Sequence, residues 1–271
     1  MIVGMIAAWK TFPTLVLVFQ SSIAMLMIAL SVYIYNDLTD IELDRICAKI
    51  GESHYIHRPL ITGKALPRDA KILILSQTVI GLCFGLSINL LFFFFLTLYL
   101  ILGILYSAPK VHFKERLIFK QLIISIGQAI ATLAGGSAAG FISLPVIYSA
   151  ALFFILTFSV VPVTDIRDIF GDRKMGRKTF PIAIGPKATI EFAIIVVITT
   201  LCVSLAVYTW LGFNFAFAVL LAASFFMLLT SIFKIYKNLT NPNLIEIIIK
   251  RNLRPIFIIL QISILIGLIP L

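Results

Sequence analysis

The sequence predicts an all-α fold, a polytopic bundle of transmembrane helices. Three observations predict it. Hydrophobic residues make up 61% of the 271 and the mean hydropathy is +1.08, whereas soluble domains are about 45–50% apolar. The apolar residues gather in runs near the length of about 20 that a bilayer-spanning helix needs. Lysine and arginine collect in the segments between alternate runs.

Eight runs are long enough to span: 14–35, 70–88, 90–107, 118–141, 145–164, 188–211, 213–236 and 254–270. Each is read from apolar length rather than from amphipathic period, because a lipid-facing helix is apolar all round. Residues 1–9 are apolar but too short to cross, and Lys10 and Pro13 end them. Asn89, the Gly140–Pro145 stretch and Gly212 mark tight reversals on one side of the membrane. The other side carries long connections, 36–69, 108–117, 165–187 and 237–253.

The charges follow those connections. Six cations lie in 36–71, four in 108–120, six in 165–187 and five in 234–254; Lys10 is the one remaining. The positive-inside rule places these loops in the cytoplasm. A net charge of +10 is then a matter of topology and phospholipid contact rather than of nucleic acid. No cleavable signal peptide is expected at the start Met1-Ile-Val-Gly-Met5. Cys47, Cys83 and Cys202 form no CxxC pair, and His54, His57 and His112 lack metal-ligand spacing.

Two acidic constellations stand out at the ends of apolar runs. Asn36, Asp37, Asp40 and Asp44 follow the first, and Asp165, Asp168 and Asp172 follow the fifth. On a helix, positions i, i+3 and i+7 share one face. Three carboxylates there repel one another, at a helix end whose dipole already disfavours negative charge. Folding gains nothing from them, and a bound cation would explain them. Each aspartate of the second set lies 128 residues after its counterpart in the first; the echo is too short to establish an internal duplication.

Hard oxygen donors without His or Cys suit Mg²⁺ or Ca²⁺. Mg²⁺ bridges carboxylates to substrate phosphates, so two clusters suggest two or more ions on one diphosphate. Arg58, Lys110, Lys174, Arg177 and Lys178 stand nearby as basic groups suited to phosphate oxygens. Carboxylates, metals and cations at the mouth of an apolar bundle fit a substrate with a diphosphate head and a hydrocarbon tail. Plainer readings stand beside these. Tyr106 also fits an interfacial belt tyrosine, and Lys174 and Lys178 fit topology signals. The Gly135–Gly140 stretch fits close helix packing, and Phe92–Phe95 fits lipid-facing bulk. A cation-coupled transporter would place its carboxylates near the bilayer midplane, and a CDP-alcohol phosphotransferase motif carries Asp-Gly and Ala-Arg between its acids, which are missing here.

The combination resembles one known family. Asn36-Asp37-x-x-Asp40-x-x-x-Asp44, Tyr106-x-x-x-Lys110 and Asp168-x-x-x-Asp172 with Gly176-Arg-Lys-Thr179 are similar to the signatures of the UbiA-type intramembrane prenyltransferases, as are Arg58-Pro-Leu60 and Gly63. The resemblance covers essentially the whole chain. It implies a single membrane-embedded domain over 1–271, helical around a central cavity, with its active site on the cytoplasmic side. It implies Mg²⁺-dependent transfer of a prenyl group from a prenyl diphosphate to an apolar or amphipathic acceptor, either an aromatic quinone precursor or a prenylated glycerol phosphate. In that reading Asn36, Asp37, Asp40, Asp44, Asp165, Asp168 and Asp172 hold metal. Arg58, Lys110, Lys174 and Lys178 contact the diphosphate. Tyr106, Asp40 and Asp168 are catalytic. The family usually has nine spans, the first opening on a basic residue. Residues 1–9 stand where that span would be, so it is expected to be truncated, either because the coding start lies upstream or because the helix is missing, with no such role for Lys10.

Overall fold

The computed structural model describes residues 1–9, 13–49, 56–109, 111, 113–174 and 176–269, with the side chains of Trp9, Cys47 and Lys49 left aside. Every regular element among them is helical. The chain divides into two compact units, Thr14–Lys114, and Met1–Pro13 with Glu115–Leu271.

The 14–114 unit begins with α2 (Leu15–Thr39), which starts on a Thr14 cap and runs past the end of its apolar stretch. α1 (Ile2–Trp9) precedes it in the chain and belongs to the other unit. The short α3 (Ile41–Lys49) follows α2, then α4 (Pro59–Thr62), α5 (Pro67–Ile88) and α6 (Leu90–Ser107). Proline at the first helical position opens α4 and α5, where a missing N–H costs nothing. Asn89 ends α5 and caps α6, its Oδ1 accepting from Phe92 N at 2.8 Å. Small residues set the packing of α2, α5 and α6. Gly81 of α5 faces Ile28 and the Ala24 carbonyl, and Gly103 of α6 faces Val32.

In the other unit, α1 packs its buried Val3, Met5, Ile6 and Ala7 against α7 (Leu117–Ala138) and α8 (Leu144–Asp165). Two glycines of the 135–140 stretch serve helix contact, since Gly135 meets the α1 backbone and Gly136 meets Val146, whereas Gly140 sits in the turn at φ 88°. Ser143 Oγ donates to the Ala7 carbonyl at 2.6 Å. α8 passes through Pro162, enters a 3₁₀ turn at Ile166–Asp168 and continues as α9 (Ile169–Lys174). Then come α10 (Phe180–Ala183), α11 (Pro186–Val207), α12 (Phe215–Lys237) and α13 (Pro242–Ile248). A π-helical turn at Ile249–Leu253 joins α13 directly to α14 (Arg254–Gly267). The core is a column of large apolar side chains, with Leu156, Ile190, Phe217, Phe225, Leu228 and Ile232 fully buried. Asn214 fastens two ends together. Its amide donates to the carbonyls of Ile266 and Ile269, each at 2.9 Å.

Among the described residues, seven helices are long and apolar enough to cross a membrane. They correspond to the first seven expected runs. The eighth, expected at 254–270, is the 14-residue α14, about 21 Å long by itself, extended on its N-terminal side through the π turn and α13. The protein is therefore a multi-pass integral membrane protein. Lys10, the expected end of α1, lies outside the described residues.

A side chain at Gly103 would strike Val32 one turn below Ser107. Gly103→Leu should lower stability by about 1–3 kcal/mol, read as a drop in the thermal midpoint in detergent, while the exposed Ile104 should accept Leu without effect.

Candidate functional site

The first cluster is built across a helix break. Asn36 and Asp37 occupy the last turn of α2, Asp40 is its C-cap, and Asp44 lies in the first turn of α3. The backbone bonds Asp40 N to Asn36 O at 3.0 Å and Asp44 N to Asp40 O at 2.8 Å carry a helical register through the break. The one-face geometry expected from the spacing therefore survives. Arg58 caps α4, and its Nη1 donates to Asp37 Oδ1 at 3.0 Å and to Asp44 Oδ2. Lys114 Nζ pairs with Asp40 Oδ1 and reaches Asn36 Oδ1 at 3.4 Å. Ser107 Oγ donates to the same Asn36 oxygen at 2.7 Å.

Among the described residues, three carboxylates thus face two cations. Lys114 and Asp44 are largely out of solvent, 8% and 3% exposed, while the Asp37 side chain is 36% exposed. Burial pushes the Asp44 carboxyl above its ordinary value, and the Arg58 guanidinium opposes part of that shift. Tyr106 is half-buried next to Ser107, the residue of its motif that reaches Asn36. Lys110 lies outside the described residues.

The second cluster is built from the end of α8. Asp165 is its last residue, Asp168 closes the 3₁₀ turn, and Asp172 lies in α9. Lys120 Nζ at 2.8 Å and Gln121 Nε2 at 3.0 Å both donate to Asp165 Oδ2. Arg167 grips Asp168 with two bonds of 2.7 Å. Arg177 Nη1 reaches Asp172 Oδ1 at 3.3 Å, held by Arg177 N donating to the Asp172 carbonyl at 2.9 Å. Here three cations face three carboxylates.

The basic residues expected near the clusters divide. Arg58 and Arg177 are bound to carboxylates. Lys174 instead lies 4.5 Å from the centre of the Phe170 ring, and Lys178 is exposed. Sequence reasoning passed over Lys114, Lys120, Ser107, Gln121 and Arg167. Gln121 carried a signal, as a polar residue inside an apolar run. The lysines did not, because a loop charge count hides them. Among the described residues no three His, Cys, Asp or Glu side chains are arranged to hold a metal ion; the carboxylates are turned to guanidinium and ammonium groups. The donor set itself is all hard oxygen and fits Mg²⁺.

A family model described as the UbiA prenyltransferase family matches residues 1–244. The chain belongs to the UbiA prenyltransferase family. Its enzyme class is therefore prenyl transfer, and neither the transporter nor the phosphotransferase reading is needed. Among its relatives is the digeranylgeranylglyceryl phosphate synthase of Sulfolobus acidocaldarius, 28% identical over 206 residues, which are 76% of this chain and 70% of that protein. The synthase of the same name from Saccharolobus solfataricus is 26% identical over 228 residues, 83% of this chain and 76% of that protein. In fold, the chain matches a UbiA homolog from Archaeoglobus fulgidus bound to GPP and Mg²⁺, with a TM-score of 0.76 and 21% identity over 99% of this chain and 92% of that one.

A carboxyl with a raised folded pKa favours the fold in acid and gives up that contribution as pH rises through the folded value. In EDTA, the thermal midpoint of the wild type minus that of Asp44→Asn should be largest near about pH 4 and shrink toward neutrality. A difference that grows with pH would show the opposite shift.

Proposed function

We propose that this UbiA-family protein transfers a prenyl group, with Mg²⁺, from a prenyl diphosphate to a prenylated glycerol phosphate. The observation that carries the reading is the pair of aspartate clusters, each already interleaved with arginine and lysine at the end of a long apolar helix. Asp37, Asp40 and Asp44 in one cluster, and Asp168 and Asp172 in the other, would hold the metal. Bound there, magnesium offsets the charge that builds on a departing diphosphate. Arg58, Lys114 and Arg177 hold carboxylates, and the same donors suit phosphate oxygens. Lys174, Lys178 and Lys110 supply further positive charge in the same two loops. Apolar helix surface keeps water from the allylic cation once the C–O bond has broken. The acceptor is supported by the names of the relatives from Sulfolobus and Saccharolobus.

Purified protein given radioactive prenyl diphosphate and a prenylated glycerol phosphate should yield a labelled lipid, and EDTA should abolish it. Asp40→Asn and Asp168→Asn should remain folded, still unfolding cooperatively in detergent, and lose turnover by at least about 100-fold. Full activity in either variant would overturn the metal assignment. Labelling of an aromatic ring but not of the glycerol phosphate would replace the acceptor.

The clusters are assigned to the cytoplasmic side, supported by the lysine and arginine distribution. With the native cysteines changed to serine, Arg173→Cys should react with an impermeant thiol reagent from the cytoplasmic side only. Phe141→Cys should react from outside.

A further inference from the structure

The three ion pairs of the second cluster are not alike. Arg167 and Asp168 are neighbours in sequence, and their side chains are 24% and 37% exposed. Arg177 and Asp172 meet through one contact of 3.3 Å within a single loop. Asp165 is held differently. Its partners are consecutive residues near the start of another helix, α7, and both bond to the same oxygen. The Asp165 side chain is 10% exposed and that of Lys120 18%; Gln121 is fully buried.

The amide of Gln121 must point its NH₂ at Asp165, because a carboxylate oxygen only accepts. That orientation leaves Gln121 Oε1 buried without a hydrogen-bond partner. The amide thus spends its donor on Asp165 while its own oxygen is left unsatisfied. An ammonium and an amide on one oxygen are the neighbours of an ionised carboxylate that is already compensated. The Lys120 charge also acts on Asp172, so it lies within reach of the rest of the cluster.

We propose that Lys120 is a positioning residue, a tethered cation that removes Asp165 from the metal-binding set and leaves Asp168 and Asp172 to bind magnesium. The inference rests on the metal reading of the proposed function. Lys120, with Gln121, ties α7 to the end of α8 and supplies the cluster with one fixed positive charge that would otherwise come from solution. A divalent ion then meets two carboxylates that are bound locally and exchangeably, instead of three.

The test is binding of Mn²⁺, as a spin probe for Mg²⁺, to the full chain in detergent with inorganic pyrophosphate present. Asp165→Asn leaves the Lys120 charge without its carboxylate beside the site and should weaken Mn²⁺ binding by no more than about tenfold, whereas Asp168→Asn removes a ligand and should lose about 100-fold. Lys120→Met leaves Asp165 uncompensated beside the site, so its Mn²⁺ affinity should rise by about tenfold. Loss of a merely structural contact would lower it. Lys120→Arg should restore wild-type affinity, and the double variant Lys120→Met with Asp165→Asn, which has no unpaired charge, serves where a single variant fails to fold and should match wild type. Weakening by the double variant as severe as that by Asp168→Asn would overturn the inference and leave the metal reading standing. Indifference of Mn²⁺ binding to Asp168→Asn as well would instead overturn the metal reading beneath it.

Discussion

Charge compensation at the ends of apolar helices is the constraint on which the rest of this structure depends. Carboxylates on helices that cross a membrane are expensive unless paired, and the ones in each cluster are paired with an arginine or lysine from elsewhere in the same unit. The pairing dictates local structure. Arg58 is placed by the cap of α4, Lys114 by a 3₁₀ turn, and Arg177 by a backbone bond back to Asp172. The short helices and turns after the spans are therefore scaffolds for cations, and the spans are scaffolds for carboxylates.

The two clusters differ in their balance. Among the described residues, the first holds three carboxylates against two cations, and the second matches them one to one. In the first, Arg58 alone serves two carboxylates, Asp37 and Asp44. Burial of Asp44 disfavours its charged form until a further cation arrives. Breaking a buried pair leaves the remaining charge uncompensated, a cost of about 3–5 kcal/mol.

The carboxylates and the helices were legible in the sequence, and the cations that serve them were not. Apolar length alone located the first seven spans, because lipid tolerates little else. The aspartates were legible because their spacing matches helical geometry and their charge has no place at a helix C-terminus. The pairings were hidden because Arg58 lies 21 residues from Asp37 and Lys114 lies 74 from Asp40, distances that no local pattern bridges. The end of α2 was misjudged for a physical reason. Hydropathy stops at Tyr35, but helical hydrogen bonding continues to Thr39, so Asn36 and Asp37 lie within the helix. The eighth run was legible as apolar sequence, yet its boundary was not, since Lys250, Arg251 and Arg254 ride on a helix that continues through a π turn.

The Asn214 clasp has a mechanical meaning. One side-chain amide and one backbone N–H at the start of α12 hold three carbonyls at the end of α14: Ile266, Gly267 and Ile269. A load applied to the C-terminal end of α14 would pass through these bonds into the middle of the chain before it stretched α14 itself. The bonds lie close together and would share the load, so the clasp acts as a latch that gives way in one step. Once it opened, α14 would peel from the Phe217 column under far less force.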